Sequence, residues 1–302
     1  MRAPVSEGLR RMRYVLEAAA AWMAFGFFGL FSLDRASHMG GWLGRVIGPR
    51  LKISEVARRN LARAFPEKTP HQIEELVIAM WDNLGRVLAE YPHLDQLRLY
   101  DKKGRWPGRV TVEGTQYLDL LRDDGEPGIF FSAHLGNWEI NAMSAVQRGL
   151  PLTLVYRAPN NPSTDALIRR ARHAITRSFA AKGAQGARDS LRVLKEGGHL
   201  ALLADQKMND GIAVPFFGRE AMTAPALAQL ALKFGCPVVP AKVVRTGGAH
   251  FRLTLYPPLE MPASGDKQAN VAALMGQVNE LIEGWVRENP GQWMWVHQRW
   301  PD

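Results

Sequence analysis

A histidine and a glutamate separated by four residues are the side chains in this sequence whose types and spacing best suit catalysis. They lie in the stretch GIFFSAHLGNWE, residues 128–139. Its apolar run predicts a strand that ends at His134, then a turn through Gly136 and Asn137 and a helix whose first turn holds Glu139. A histidine at the carboxyl end of a strand lies where open α/β sheets bind their ligands. If Glu139 folds back onto the imidazole, it could orient the ring and stabilise its protonated form, which would make the pair a general base.

The spacing alone is weak support for this chemistry. With 8 histidines and 29 acidic residues among 302, chance gives about 0.8 such pairs. A second pair, His297 and Asp302, has the same spacing but no strand-to-helix context, and we interpret it as accidental. The alternative for His134 is a histidine that only hydrogen-bonds within its turn.

The surrounding sequence alternates short apolar runs with helical periodicity. The runs predict strands at residues 129–133, 152–156, 200–204, 238–244 and 251–256, and the periodic stretches predict helices at 138–147, 165–181, 187–196, 224–234 and 269–288. Upstream, Thr69, Pro70 and Gln72 form a capping-box pattern that opens a further helix, which Pro92 ends. This alternation predicts an α/β fold with a mixed central sheet covered by helices.

The composition narrows the class of protein. A hydrophobic content of 46% excludes a disordered chain, and 302 residues fit one large domain or a domain with a small appendage. The single cysteine, Cys236, excludes disulfide frameworks and cysteine zinc sites and agrees with a reducing compartment. A formal net charge of +9 predicts an acidic partner, which could be nucleic acid, an anionic membrane, or a phosphorylated or acidic substrate.

The N-terminal segment predicts contact with a membrane. Residues 18–33 carry no charge and are nearly all apolar, and Arg2, Arg10, Arg11 and Arg13 precede them. As a helix the segment would span about 24 Å, which is short for a hydrocarbon core of about 30 Å. We therefore expect a helix that lies in or dips into the cytoplasmic leaflet, with residues 1–50 as a membrane-associated segment and 51–302 as the catalytic domain. A membrane span, a cleavable signal peptide and a buried core helix are the alternatives.

Several segments resemble one enzyme family. The run SAHLGNWE resembles the His-x4-acid motif of the glycerolipid acyltransferase superfamily, and its glutamate is similar to that of the lipid A biosynthesis lauroyl acyltransferase branch. Further blocks resemble the same branch, namely VYRAPNN at 155–161, LADQK at 203–207 with VPFFG at 214–218, and the tail QWMWVHQRW at 292–300. Together with the apolar N-terminus, the resemblance covers nearly the whole chain.

The resemblance implies transfer of a fatty acyl chain from acyl carrier protein to a hydroxyl of a lipid A precursor, at the cytoplasmic face of the inner membrane and without a metal or covalent cofactor. His134 would be the base and Glu139 its orienter. An alcohol needs such a base, because it is a poor nucleophile until its proton is removed. The chain has no GxSxG elbow, and Cys236 fits a small buried hydrophobe, so no acyl-enzyme is expected.

Further residues are assigned to substrate contact. Asp205 and Gln206 would belong to the acceptor-binding or base-supporting wall by resemblance, with loop capping as the alternative. Arg157 and Asn160, just after a predicted strand, would hold a phosphate or the reacting carbonyl, or else lie on a solvent-facing rim. Oxyanion donors are expected from backbone amides near Gly136 and Asn137, or from Arg157. Docking of carrier protein or phosphorylated headgroups is expected at Arg169, Arg170 and Arg172, whose alternative is a solvated helix face.

Other functions remain open at this point. The same mechanism could act on a phospholipid, glycolipid or aminolipid acceptor. A basic nucleic-acid-binding protein would explain the charge but neither the apolar N-terminus nor the strand-His-turn-Glu arrangement, and the sequence has no zinc-finger, RRM or basic-zipper motif. A catalytically dead membrane scaffold is disfavoured by the intact pair.

Overall fold

The computed structural model describes residues 7–100, 108–181 and 183–300. Its helices are α1 (Glu7–Gly29), α2 (Leu33–Ile47), α3 (Ser54–Ala64), α4 (Pro70–Glu90), α5 (Gln116–Asp123), α6 (Glu139–Gln147), α7 (Pro162–Arg172), α8 (Ala184–Lys195), α9 (Ala226–Phe234) and α10 (Lys267–Glu288). Its strands are β1 (Val110–Glu113), β2 (Gly128–Ser132), β3 (Leu152–Tyr156), β4 (Phe179–Ala181), β5 (His199–Leu203), β6 (Lys207–Phe216), β7 (Arg219–Thr223), β8 (Val238–Gly247) and β9 (His250–Leu255). Short 3₁₀ turns cover Gly48–Arg50, Tyr91–Gln96 and Pro290–Gln292.

A seven-stranded mixed sheet forms the centre of the fold, as predicted. The strand order is β1-β9-β8-β2-β5-β3-β4, and neighbours are parallel except β8 and β9. Every residue of β2 is buried. Because alternate residues of a strand face opposite sides, Ile129 and Phe131 join the hydrophobic cluster that contains residues of α4, α9 and α10, whereas Phe130 joins the cluster with α5 and α6.

One predicted helix is wrong in its extent. α7 ends at Arg172, and the residues after it turn back to form β4 beside β3 instead of continuing a helix to residue 181. The turn is fixed by hydrogen bonds to β3: the Thr176 hydroxyl donates to the carbonyl of Leu152 at 3.0 Å, and the amide of Leu154 donates to the carbonyl of Ser178 at 3.0 Å. These two hydrogen bonds tie the segment to the sheet.

The antiparallel hairpin of β6 and β7 is absent from the sequence-based prediction. Its first strand begins with the run Lys-Met-Asn-Asp-Gly, which has neither a continuous apolar stretch nor a regular alternation. Sequence periodicity gives no strand signal in such a run. Pairing with β7 and packing against α10 stabilise the hairpin instead.

The capping box at the start of α4 is confirmed. The Thr69 hydroxyl accepts from the amide of Gln72, and the Gln72 side chain accepts from the amide of Thr69. The buried face of the helix includes polar side chains among its apolar ones, at Asn83 and Glu90. These two residues are seven positions apart, so they lie on the same face of the helix. This face contacts the turn after β2.

α2 and α4 cross in direct backbone contact. A Cβ on Gly85 would lie 2.1 Å from the carbonyl oxygen of Gly40, and a Cβ on Gly40 would lie 2.4 Å from that of Gly85. Only hydrogen fits at either position. Leu33 of α2 also packs in a hydrophobic cluster of the central sheet. The division of the chain into a membrane-associated segment, residues 1–50, and a catalytic domain, residues 51–302, stays a prediction.

Gly85→Ala is expected to lower the free energy of unfolding by about 1–3 kcal/mol, because the methyl group must push α2 from α4 and this outweighs the helix-propensity gain of about 1 kcal/mol. Gly276→Ala is the matched control, since a Cβ at this position in α10 meets nothing within 4 Å, and it should be as stable as the wild type or more so. Urea unfolding measures both. Equal stabilities of the two variants would contradict the close contact.

α1 packs on the rest of the fold by one side. Its half-buried residues Tyr14, Ala18, Ala21, Phe25 and Phe28 recur every three or four positions and so form one face. Among the described residues, none of the helices has the length and apolar character that a bilayer crossing requires. The other side of α1 and the loop after it expose large apolar side chains, namely Met12, Val15, Leu16, Trp22, Met23, Phe27 and Leu30.

Candidate active site

Three parallel strands deliver polar side chains to one edge of the sheet. β2 and β5 pair with Ser132 opposite Leu203. His134 and Asp205 each follow these residues by two positions, and Arg157 directly follows β3, the next strand along. Because parallel strands end at the same edge, the register alone brings His134 and Asp205 together.

Asp205 holds the imidazole of His134. The ring Nδ1 lies 2.8 Å from Asp205 Oδ1, and the backbone N–H of His134 donates to Oδ2 at 2.7 Å. The indole N–H of Trp293 also donates to Oδ2, at 2.7 Å. Since a carboxylate only accepts, Nδ1 carries the proton and Nε2 is the nitrogen that can take one. The side-chain nitrogen of Gln206 lies 3.4 Å from Nε2. This is the geometry of an oriented general base.

The neighbours of the buried Asp205 carboxyl favour its ionised form. Its side chain is 2% exposed, and burial by itself would raise the pKa. The charge of the imidazolium form of His134, together with the hydrogen bonds from His134 and Trp293, nevertheless holds the pKa of Asp205 well below its usual range. Asp205 can therefore stabilise positive charge on the imidazole.

The expected pairing of Glu139 with His134 is wrong. The carboxylate of Glu139 accepts from Arg172 through Nε at 2.9 Å and Nη2 at 2.6 Å, from the Tyr91 hydroxyl at 2.7 Å and from the Trp138 indole at 3.0 Å. These donors occupy its oxygens, while Nδ1 of His134 is satisfied by the carboxylate of the neighbouring strand. Among the described residues, Asp205 provides the carboxylate that is hydrogen-bonded to the His134 ring.

Arg172 and Glu139 form a buried ion pair, with side chains 14% and 3% exposed. Burial alone would raise the pKa of Glu139, but the charge and the hydrogen bonds of Arg172 hold it below its usual range. This pair corrects the expectation that Arg172 shares an exposed docking face with Arg169 and Arg170.

A cavity of about 150 Å³ opens beside His134. Its polar lining includes Glu139, Arg157, Arg172 and Gln206, which follow the strand ends or lie on the helices above them. Apolar side chains from within the strands and from α6 form much of the remaining wall, namely Phe130, Ala142, Leu154, Ala201, Leu202 and Leu203. The base therefore lies next to a space with a polar part and an apolar part, and the apolar part suits a hydrocarbon chain.

The other assigned substrate residues divide into two groups. Arg157 and Gln206 line the cavity, as expected for residues that contact a substrate. Asn160 is exposed and does not line it. Arg169 and Arg170 are exposed on α7, with guanidinium carbons 5.1 Å from the Phe179 ring and 5.6 Å from the Trp22 ring, respectively.

The turn after β2 is confirmed, but Gly136 is not an oxyanion donor. Gly136 has a φ of +57°, and a Cβ there would lie 2.6 Å from the carbonyl oxygen of Val243, so only glycine fits. Its amide is already bonded to the carbonyl of Gln292 at 3.2 Å. The Asn137 side chain donates to Glu90 at 2.8 Å and accepts from the amide of Glu139 at 3.2 Å. Neither Gly136 nor Asn137 lines the cavity.

A buried network from α4 braces this turn. Glu90 is fully buried and accepts from Asn137 at 2.8 Å and from both terminal nitrogens of Arg245, at 2.5 and 3.1 Å. Asn83 donates to the carbonyl of Gly136 at 3.0 Å. Sequence reasoning missed these residues, although polar side chains on the otherwise apolar face of α4 are a usable signal.

The C-terminal tail completes the site. Leu135 bridges to Trp293, and the amide of Met294 donates to the carbonyl of His134 at 3.1 Å. His297 accepts from the amide of Lys207 through Nε2 at 2.6 Å, whereas its sequence partner Asp302 lies outside the described residues. The tail thus lies directly against the catalytic turn.

Trp293→Phe is expected to lower kcat about tenfold, because Asp205 loses a charge-assisted hydrogen bond while most of the ring packing remains. Trp295→Phe is the matched control, since that indole donates to the carbonyl of Pro290 and not to Asp205. Steady-state kinetics of both variants, with thermal unfolding as the check on folding, separate the two effects. A kcat loss of the same size in Trp295→Phe would show that Trp293 acts only through packing.

The single cysteine is not a nucleophile. Cys236 is 2% exposed, and burial raises the pKa of its thiol to about 11. This confirms its interpretation as a small buried hydrophobe. The His134–Asp205 pair, beside a cavity with both charged and apolar lining residues, is the arrangement of a transferase or hydrolase that activates a hydroxyl or water.

Comparisons with known proteins define the family. The family model described as bacterial lipid A biosynthesis acyltransferase matches residues 5–302. The lipid A biosynthesis palmitoleoyltransferase of Escherichia coli is 25% identical over 268 residues, 86% of this chain and 83% of its own. The lauroyltransferase of the same organism is 25% identical over 257 residues, 82% of this chain and 78% of its own. The chain belongs to the bacterial lipid A biosynthesis acyltransferase family.

Among solved structures, the 1-acyl-sn-glycerophosphate acyltransferase PlsC of Thermotoga maritima is 15% identical to this chain. The similarity covers 86% of this chain and 99% of that protein, with a TM-score of 0.38.

Proposed function

We propose that this protein transfers a fatty acyl chain from acyl-acyl carrier protein to a hydroxyl of a lipid A precursor, with His134 as general base and Asp205 as the carboxylate that orients it. The observation that carries the proposal is the hydrogen-bonded His134–Asp205 pair beside a cavity whose wall has both a charged part and an apolar part. An alcohol attacks a thioester slowly until a base removes its proton, and this pair supplies the base.

In the proposed reaction, Nε2 of His134 takes the proton of the acceptor hydroxyl as its oxygen attacks the carbonyl carbon of the thioester. The new C–O bond leaves an oxyanion, which the guanidinium of Arg172 in the cavity lining stabilises. Collapse of this intermediate breaks the C–S bond, and the leaving thiolate takes the proton from the imidazolium. The products are one ester and one thiol, and His134 is again neutral.

In this scheme Glu139 acts on Arg172 and not on His134. Its two oxygens accept from Nε and Nη2 of the guanidinium, a forked geometry that fixes the plane of the cation. A fixed cation stabilises developing charge better than a mobile one, because no reorganisation is needed during the reaction. Arg157, exposed at the same cavity, would hold a phosphate or the pantetheine arm of the donor, and Arg169 and Arg170 would meet the acidic carrier protein or phosphorylated headgroups.

We further propose that α1 places the site at the cytoplasmic face of the inner membrane. Met12, Leu16, Met23 and Phe27 are spaced by multiples of the helical repeat on the side opposite the packed face, and each is more than a third exposed. Buried in the acyl boundary of a leaflet, such a stripe would lie parallel to the membrane, with Arg10, Arg11 and Arg13 near anionic headgroups.

Phe27→Asp is expected to weaken binding to anionic vesicles about tenfold or more, because a charge replaces a ring that would be buried in lipid. Ala24→Asp is the matched control, since Ala24 is exposed on the flank of α1 that also holds Arg13 and Glu17 further toward the N-terminus, and it should bind nearly as well as the wild type. Flotation with phosphatidylglycerol vesicles measures the bound fractions. Equal binding of Phe27→Asp and Ala24→Asp would contradict the proposed orientation.

The reaction is tested by transfer of a labelled acyl group from acyl carrier protein to a Kdo-bearing lipid A precursor in detergent, with a range of donor chain lengths. The wild type should add one acyl group, and folded His134→Ala should not. Transfer to phospholipid or aminolipid acceptors but not to the lipid A precursor would overturn the acceptor assignment. Full activity of His134→Ala would overturn the mechanism.

A further inference from the structure

The wall of the cavity contains a buried acceptor atom whose role the reaction scheme does not explain. Asn141 of α6 lines the cavity and is 2% exposed. Its Oδ1 is fully buried, and no group among the described residues donates to it. A buried acceptor without a donor costs free energy, so a partner from the substrate is a natural complement.

The orientation of this amide is fixed by its neighbours. Nδ2 of Asn141 donates to the carbonyl of Trp138 at 3.2 Å and to Oγ of Ser132 at 2.8 Å. The Ser132 hydroxyl in turn donates to the carbonyl of Ala241 at 2.7 Å, so its oxygen is left to accept. Exchanging the amide oxygen and nitrogen would place two oxygens against each other at Trp138. Oδ1 is therefore the atom that lacks a partner.

The position of Asn141 relative to the base limits which part of a substrate it can meet. Ser132 precedes His134 by two residues, so their Cα atoms are at most about 7 Å apart. Phe130 precedes Ser132 by a further two residues on the same strand and belongs to the apolar lining with Ala142. Asn141 thus lies between the reacting group at His134 and the apolar part of the wall.

We propose that the cavity accepts an acyl chain that carries a hydroxyl group close to its thioester carbonyl, and that this hydroxyl donates to Oδ1 of Asn141. The inference rests on the proposed acyl transfer and deepens it by naming the class of donor. In this proposal the acyl chain lies along the apolar part of the lining with its first carbons beside Asn141, and the thiol arm leaves past the exposed Arg157. A hydroxyl is the donor that an otherwise apolar chain can bring there.

The test compares kcat/KM for acyl carrier protein donors of equal chain length, with and without a hydroxyl on carbon 2 or carbon 3, and with one acceptor. The wild type should prefer one hydroxylated donor at least about tenfold. In Asn141→Leu the ratio should fall to near one, since the acceptor atom is gone. Ser132→Ala is the matched control, because Asn141 keeps Oδ1 and its bond to Trp138, and the preference should persist. Each ratio is internal to one variant and does not depend on how much of it folds.

Equal kcat/KM of hydroxylated and plain donors in the wild type would overturn the inference, with Oδ1 then satisfied by water. Equal losses for both donors in Asn141→Leu would also overturn it and would assign Oδ1 to the amide of the thiol arm. If the wild type transfers neither donor to any acceptor, the proposed function itself fails. Transfer of both donors without preference leaves that function intact.

Discussion

Replacing Asp205 with asparagine is expected to lower kcat by about 10³–10⁴-fold, close to the effect of removing the base itself. Oδ1 of Asp205 accepts from the imidazole, while Oδ2 accepts from the backbone N–H of His134 and from the Trp293 indole. An asparagine must place its NH₂ group against one of these positions. If the NH₂ group faced Nδ1 of His134, the imidazole proton would move to Nε2, and Nε2 could then not take the proton of the acceptor hydroxyl. If the NH₂ group faced the amide of His134 and the indole of Trp293, it would meet two other donors.

The measurement is single-turnover acyl transfer by the purified variant, with chemical unfolding to show that it folds. If Asp205 acts through the imidazole, the double variant Asp205→Asn with His134→Ala should be no slower than His134→Ala alone. A kcat of Asp205→Asn near that of the wild type would remove Asp205 from the mechanism. Additive losses in the double variant would give Asp205 a role separate from His134.

The meeting of His134 and Asp205 shows what strand prediction provides and where it stops. The runs that form β2 and β5 were predicted, and each is followed two residues later by a polar side chain. The sequence does not state that these strands are neighbours, nor that Ser132 pairs with Leu203. With that register, the two residues must meet. Without it, the residues nearest in sequence are the natural partners, and the spacing predicts Glu139, while the resemblance places Asp205 only in the acceptor-binding or base-supporting wall.

The partner of Glu139 could not be found in the same way. Arg172 lies 33 residues further on, and the sequence predicts that it shares one basic helix face with Arg169 and Arg170. Arg172 is the last residue of α7 and its side chain reaches the buried Glu139, whereas Arg169 and Arg170 remain exposed. The tertiary packing of α7 against α1 and the turn at Tyr91–Gln96 determines which arginine is buried, and no local pattern carries that information.

Arg172→Met is expected to destabilise the fold by about 3–5 kcal/mol at pH 7, because it leaves the carboxylate of Glu139 buried without its cation. Tyr91 and Trp138 still donate to Glu139, but hydrogen bonds alone offset only part of the cost of a buried charge. The double variant Arg172→Met with Glu139→Gln should recover much of the loss, because a neutral amide needs no cation. This non-additivity distinguishes a coupled pair from two independent contributions.

The pH dependence of this variant has a defined sign. In the wild type the pKa of Glu139 is lowered, so its contribution to stability is present above the unfolded value of about 4.3 and is lost as pH falls through the folded value. Without Arg172, burial dominates and the pKa of Glu139 should lie above the unfolded value. The destabilisation should then shrink between pH 7 and pH 5, as Glu139 takes up a proton in the folded state. Urea unfolding at the two pH values measures the difference in the free energy of unfolding between the wild type and Arg172→Met. A difference that is the same or larger at pH 5 would show that Arg172 stabilises the fold by packing and not by its charge.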